Sequence, residues 1–292
     1  MKLRHAKVAA KAYIYILPAM ALIGFIYFYS LFNVFSYSLV EWDNFDPLNK
    51  FNWFANFIEI FTNENFGICL KNSLLILFTT VPILILLGVL FSHFIFNKIA
   101  GSTFYRFLFF FPEILPIVVV GISFTFILQK SGPFNDVLRM IGLGNIALDW
   151  FALSKTALPS IIAMIIWKDL GLPIVLFLAR LAQTSPSLYE AARIDGAGDY
   201  AIVRHITIPE LKETIVLYSI IACIGNLSAL FPYINVTTNG GPGYASTVLE
   251  YFIYLYTFRY FELGQGAAAS VILFMITFIL SIVYFRLTRS KD

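Results

Sequence analysis

The sequence predicts an all-α integral membrane protein, with six transmembrane helices and one water-exposed helix–turn–helix loop. Three observations carry that expectation. Hydrophobic residues make up 59% of the chain and charged ones 13%, with a mean hydropathy of +0.81, which lies outside the range of soluble domains. Six apolar runs are long enough to cross a hydrocarbon core of about 30 Å, which takes roughly 20 helical residues. Finally, Arg180, Glu190, Arg193, Asp195, Asp199, Arg204, Glu210, Lys212 and Glu213 crowd one short stretch. Each would cost roughly 2.5 to 3.5 kcal/mol at a bilayer centre, so that stretch lies in water.

The spans are expected at about residues 13–39, 73–96, 107–128, 158–181, 215–236 and 267–285. The first follows a basic segment and contains Ala19-Met20-Ala21, which mimics a signal-peptide cleavage site. Its apolar run continues well past Ala21, so it is read as an uncleaved helix. A further run at 248–258 is not a span, because Glu250 and Arg259 bound it too closely; its tyrosines and phenylalanines suit an interfacial segment. With both termini cytoplasmic, 13 of the 20 lysines and arginines fall inside. These are Lys2, Arg4, Lys7, Lys11, Lys98, Arg106, Arg180, Arg193, Arg204, Lys212, Arg286, Arg289 and Lys291, against Lys50, Lys71, Lys130, Arg139, Lys155 and Arg259 outside. The positive-inside rule therefore places residues 184–212 in the cytoplasm and 238–264 outside.

Within that loop, Ser185-Pro186 reads as a helix start, with the hydroxyl capping free N–H groups and proline at the first helical position. The first helix is expected to run to about Asp195 and to end at Gly196, the residue best able to adopt a left-handed conformation. Asp199 then caps a second short helix that stops before Pro209. Ala191, Ala192, Ile194, Ala197, Ile202, Val203 and Ile206 form a small, apolar set among the charges. Another protein surface is expected to cover them; the competing reading is an amphipathic hairpin lying on the membrane.

Other chemistries find no support. Cys69 and Cys223 stand apart and read as packing residues, and His5, His93 and His205 lack ligand spacing. No phosphate loop, nucleophile elbow, metal cluster or nucleic-acid footprint is present in the sequence, so the chain is not expected to be an enzyme or to hold a cofactor or metal.

The run Glu190-Ala191-Ala192-Arg193-Ile194-Asp195-Gly196-Ala197 followed by Ile206-Thr207-Ile208-Pro209 resembles the cytoplasmic EAA loop of membrane subunits of binding-protein-dependent ABC importers, with Ile208 where leucine is usual. Trp167-Lys168-Asp169-Leu170-Gly171, Leu178-Ala179-Arg180-Leu181 and Asn239-Gly240-Gly241-Pro242 are similar to the carbohydrate-type permeases, in particular the first of the two maltose-type subunits. The resemblance implies a type I importer half, a single permease domain over residues 1–292 with its coupling loop at 184–212, in a bacterial cell membrane. Its implied partners are a second homologous permease, two cytoplasmic ATPase domains that hold ATP and Mg, an extracellular solute-binding protein and the surrounding lipid. The substrate it implies is a di- or oligosaccharide, with glycerol phosphate or another polyol as the alternative. Glu190, Ala191, Ala192, Asp195, Gly196 and Ala197 would dock on the ATPase.

Substrate-pathway candidates are Trp167, Lys168, Asp169 and Gly171 on the fourth span and Asn226, Ser228, Tyr233 and Asn235 on the fifth, which together offer charge, amides, hydroxyls and aromatic area. Lys168 and Asp169 are adjacent on a helix, so no local pair is expected between them. Gly171 and Pro173 can interrupt the helix there. The same four residues of the fifth span serve equally well as helix glue. Glu113, between Pro112 and Pro116, is expected near the inner end of the third span. Two rival readings are an ion-coupled secondary transporter, for which only Glu113 and Asp169 are candidate acids, and a scaffold that merely gathers partners.

Overall fold

The computed structural model describes residues 2–42, 50–97 and 102–289; Lys98 and Lys291, counted above in the charge asymmetry, lie outside them. The chain is helical nearly throughout, and it divides into two compact units.

The first unit comprises Met1–Asn63 and Ile253–Phe274. It holds helix α1 (Lys2–Ser38), a two-residue hairpin of β1 (Val40–Glu41) and β2 (Lys50–Phe51), and α2 (Ala55–Thr62). The hairpin pairs Val40 with Phe51 and Glu41 with Lys50 in antiparallel register. Buried Asn56 ties it to the helix ahead of it, donating to the carbonyls of Ser38 at 3.0 Å and Val40 at 2.9 Å.

The second unit comprises Glu64–Phe252 and Met275–Asp292. Its centre is α3 (Glu64–Phe96), against which α8 (Gly171–Leu181) and α11 (Ile208–Ser228) pack. In lipid no hydrophobic force separates helices from their surroundings, so tight van der Waals fit must hold them together. Gly88 supplies it: a Cβ there would lie 2.9 Å from Pro173 Cβ and 3.0 Å from the Phe177 ring. Phe177 in turn meets Tyr218 edge-on, with centroids 6.0 Å apart.

Among the described residues, six segments are long and apolar enough to cross a membrane: Tyr15–Ser38, Glu64–Phe96, Ile117–Met140, Ala157–Leu181, Asp199–Ser228 and Leu263–Tyr284. Three of the expected runs are interrupted by proline. The third is cut into α4 (Ser102–Ile114) and α5 (Ile117–Leu128), with Pro116 extended at φ −58 and ψ 135, and the long apolar segment there runs on into α6 (Pro133–Met140). The fourth divides at Leu170 into α7 (Ala157–Asp169) and α8, because Pro173 has no N–H for the Asp169 carbonyl. The fifth ends at Ser228, not near residue 236; α12 (Phe231–Thr237) starts afresh, with Pro232 in its first turn.

The remaining helices are α9 (Pro186–Ile194), α10 (Asp199–Ile202), α13 (Leu249–Tyr254) and α14 (Leu263–Arg289). The run at 248–258 is not among the spans, yet it is not simply interfacial: Leu249, Tyr251 and Phe252 are buried core residues.

Candidate functional site

Two places in the second unit gather the residues singled out from the sequence. The first is the charged loop. Helix α9 has Pro186 at its first position and ends as expected: Gly196 adopts φ +81, its N–H reaches the Arg193 carbonyl at 3.1 Å, and the Ala197 N–H reaches the Ala192 carbonyl at 2.9 Å. This pair of bonds is the Schellman motif, in which a left-handed residue satisfies the last free carbonyls of a helix.

Two expected caps are not formed. The Ser185 hydroxyl pairs with Ser187 Oγ at 2.7 Å and caps no N–H, and the position before α10 is taken by Gly198, which leaves Asp199 as a helical first-turn acid. Nor does the second helix stop before Pro209. It widens into a π-helical turn at Val203–Thr207, closed by the Ile208 N–H to the Val203 carbonyl, and continues as α11. The wider turn absorbs a proline that an α-helix would reject.

Glu190, Ala191, Asp195 and Gly196 are exposed, while Ala192 and Ala197 are half-buried. Ile194 is 86% exposed and Tyr200 76%, an apolar display without a cover in this chain. Ile202, expected on that face, is instead fully buried inside. Arg180 holds the loop from the preceding helix: its Nε donates to the Glu210 carbonyl at 3.1 Å and its Nη2 to Glu210 Oε2 at 3.3 Å, where the Thr184 hydroxyl also donates. Tyr189, 4% exposed, packs on Phe96 with ring centroids 5.2 Å apart, and burial pushes its phenol above the ordinary range.

The second place is a cavity of about 270 Å³, lined at all three proline breaks: Glu113 and Ile117 at the first, Lys168, Asp169 and Leu172 at the second, and Leu230 and Tyr233 at the third. Lys168 and Asp169 do form an ion pair, with Nζ 3.5 Å from Oδ1. The expectation of no local pair fails because the helix divides just beyond Asp169 and the long lysine stem folds back, also donating to the Glu113 carbonyl at 3.2 Å. Lys168 is only 6% exposed, midway along its span, so it is not an outer-surface residue. The Tyr233 hydroxyl donates to Asp169 Oδ1 at 3.0 Å, and Asn226 accepts from the Thr80 hydroxyl at 3.0 Å.

Lys168, Asp169, Asn226 and Tyr233 are thus brought together; the other four candidates are not. Trp167 is turned outward and lies 5.4 Å from the Phe124 ring. Gly171 serves close packing, since a Cβ there would sit 2.8 Å from the Phe109 carbonyl on α4. Ser228 and Asn235 are exposed, and Ser228 spends its hydroxyl on the Ile224 carbonyl at 2.7 Å. The cavity adds Glu113 and Tyr218. Glu113, next to last in α4 and just ahead of the third candidate span, lines this cavity, and its signal in the sequence was the proline on either side of it.

The Asn239-Gly240-Gly241-Pro242 stretch forms a tight loop beyond α12. Gly240 adopts φ +82, and Asn72 of α3 secures the loop with bonds to the carbonyls of Tyr244, Ala245 and Thr247 at 3.2, 3.2 and 2.9 Å. Glu250 accepts from the N–H groups of Leu230 and Phe231, capping α12 where the fifth span breaks.

Residues 84–291 match the family described as "Binding-protein-dependent transport system inner membrane component". The probable ABC transporter permease protein YurN of Bacillus subtilis is 30% identical over 284 residues, covering 95% of this chain and 96% of the relative. The sulfoquinovosyl glycerol transport system permease protein SmoG of Agrobacterium fabrum is 34% identical over 250 residues, 83% of this chain and 78% of the relative. The trehalose/maltose transport system permease protein MalF of Thermococcus litoralis is 27% identical, covering 100% of this chain and 97% of the relative. A chain in the crystal structure of a bacterial ABC transporter that imports the acidic polysaccharide alginate superimposes with a TM-score of 0.83 at 22% identity, covering both chains fully. At that identity the likeness establishes the fold.

Proposed function

Because the chain belongs to the binding-protein-dependent transport system inner membrane components, we propose that it is the membrane-spanning permease half of an ATP-driven importer for a sugar, a di- or oligosaccharide before a polyol. The relatives' names point to glycosides, including sulfoquinovosyl glycerol and trehalose/maltose. In this reading the chain lies in the inner membrane with both termini cytoplasmic. It catalyses nothing itself; ATP and Mg bind to a separate ATPase pair, a second permease completes the cavity, and an extracellular solute-binding protein delivers the sugar. The whole chain acts as one permease domain, and residues 184–212 are its coupling loop.

The observation that carries this reading is the loop of residues 186–207, which is anchored to the helices behind it and displays Ile194 and Tyr200 among its exposed charges. A helix closed by a Schellman turn and packed through Tyr189 on Phe96 transmits a push, whereas a slack loop would absorb it. Glu190, Ala191, Ala192, Asp195, Gly196 and Ala197 make the docking surface, and Lys168, Asp169, Asn226 and Tyr233 line the sugar's path. An ion-coupled transporter would leave the loop's exposed Ile194 and Tyr200 without a purpose.

Single-cysteine labelling tests the arrangement. A cysteine at Asp199 should react in inside-out vesicles and stay unreactive to impermeant reagents in intact cells. Labelling from outside would overturn the topology and the coupling role together.

A further inference from the structure

We infer that the Tyr218 hydroxyl is the group in this cavity that reads one particular hydroxyl of the transported saccharide. This rests on the sugar-permease reading above and deepens it, because it names a residue that sets preference at a single position of the sugar.

The other polar side chains lining the cavity already have partners. The Lys168 ammonium contacts Asp169 Oδ1 at 3.5 Å and donates to the Glu113 backbone carbonyl at 3.2 Å, and the Tyr233 hydroxyl donates to the same aspartate oxygen at 3.0 Å. Asn226 donates to the Ala222 carbonyl at 2.8 Å and accepts from the Thr80 hydroxyl. The Glu113 carboxyl takes the Leu172 N–H, and its Oε2 is sealed from the cavity. Tyr218 differs on both counts. Its side chain lines the cavity at 2% exposure, and its hydroxyl makes no hydrogen bond among the described residues, yet that oxygen is not one of the sealed, unpaired atoms. The little surface it keeps opens into the cavity.

Packing fixes where the hydroxyl points. Tyr218, Ala222 and Asn226 recur every four residues on α11 and share one face, with the small Ala222 leaving room between the two polar residues. The Tyr218 ring stands edge-on to Phe177, whose own ring is held against Gly88. A ring held in this way needs no ordering when a ligand arrives. A phenol both donates and accepts, as a sugar hydroxyl does, so a saccharide that places a hydroxyl there satisfies both groups. One that lacks it leaves the phenol unpaired out of water and is rejected.

The test is uptake into vesicles by the importer reconstituted with its partner subunits. Values of kcat/KM, per assembled complex, are measured for radiolabelled neutral di- and trisaccharides, maltose and trehalose among them, and for each monodeoxy derivative of the best-transported one. The solute-binding protein is common to both forms of the permease and cancels from their comparison. Tyr218→Phe keeps the ring against Phe177 and removes only the hydroxyl. It should slow the parent sugar about tenfold and shrink the wild-type penalty for losing one particular hydroxyl about tenfold, with the penalties at the other hydroxyls unchanged. A merely structural role would slow the parent and every deoxy derivative alike. That result, or normal uptake of the parent by Tyr218→Phe, overturns the assignment while the sugar reading stands. Uptake of none of the saccharides by wild type overturns both.

Discussion

His93 Nδ1 lies 2.9 Å from Thr207 Oγ1, joining the end of α3 to the last residue of the π turn behind the charged loop. Both residues are fully buried. With the Asn97 amide as placed, its Nδ2 donates to His93 Nε2 at 3.0 Å, so the imidazole proton sits on Nδ1 and points at Thr207. The Tyr189 hydroxyl is 3.4 Å from the same Thr207 oxygen, so one threonine connects α3, the π turn and α9.

Thr207→Val keeps the shape and removes the hydroxyl, stranding a buried imidazole N–H. The expected cost is about 1 to 3 kcal/mol. Hydrogen exchange should show faster opening of the amides of residues 186–197, with little change in the amides of α7. Unaltered exchange in the loop would mean that the threonine carries no part of the anchoring.

Arg180→Lys tests the second anchor. Both partners of this pair are about a third exposed, with side-chain accessibilities of 35% and 33%, so the ionic part is screened. The guanidinium, however, serves the Glu210 carbonyl and carboxylate at once, a fork that an ammonium reproduces poorly. Arg180→Lys should lower stability by less than about 1 kcal/mol, and Glu210→Gln by less still because the backbone acceptor survives. Thermal unfolding in detergent with and without high salt checks both; equal, large losses would show that the pair is not screened.

The loop was the most legible part of the sequence, because its signals are local: proline at a helix start, glycine at a left-handed stop, and charges that lipid excludes. The spans were legible in number and type for the same reason of composition. What stayed hidden depends on tertiary placement. Ser185 and Asp199 have the right chemistry to cap, but nothing local says that Ser187 would claim one hydroxyl and that Gly198 would take the other's position. Pro209 reads as a helix stop until the π turn shows a second way to accommodate it. Four of eight pathway candidates fail to reach the cavity because helix rotation, which residue type does not encode, turns Trp167, Ser228 and Asn235 outward and spends Gly171 on close packing.

The Lys168–Asp169 pair should behave as a unit. Removing one partner leaves a charge at membrane depth without compensation, which costs about 3 to 5 kcal/mol for buried pairs. Asp169 is more open than Lys168, at 34% against 7% for the side chains, so Asp169→Asn, which strands the buried lysine, belongs at the high end and Lys168→Met, which strands the more open aspartate, at the low end. The double variant should recover assembly that Asp169→Asn loses. Yield of the intact complex by size-exclusion chromatography decides it, and a double variant worse than either single one would sink the pairing argument.

Gly240→Ala examines the loop beyond α12. The glycine is at φ +82, and an added Cβ would collide with Thr247 Oγ1, whose hydroxyl donates to the Gly240 carbonyl at 2.9 Å. Strain and lost bond act together, so the loss should exceed the about 1 to 2 kcal/mol of left-handed strain alone. Adding Thr247→Ala should relieve the collision and return part of the stability. If the double variant is no better than Gly240→Ala, the contact with Thr247 is not the cause.

The proposed coupling surface calls for a pair of variants that separate fold from docking. Nothing lies within 4 Å of a Cβ built on Gly196, so Gly196→Val meets no neighbour and acts through its φ of +81 alone. It should loosen the end of α9 by about 1 to 2 kcal/mol, more than Gly196→Asn, since asparagine tolerates the left-handed region. Ile194→Asp changes no internal contact of consequence, because that side chain is 86% exposed; its effect on stability should stay within about 0.5 kcal/mol. Both variants should insert normally, and both should co-purify poorly with the ATPase and fail to couple hydrolysis to import. Ile194→Asp is the sharper of the two, because it has no structural defect to blame. Wild-type co-purification and substrate-stimulated hydrolysis in that variant would show that the exposed end of α9 is not where the ATPase binds.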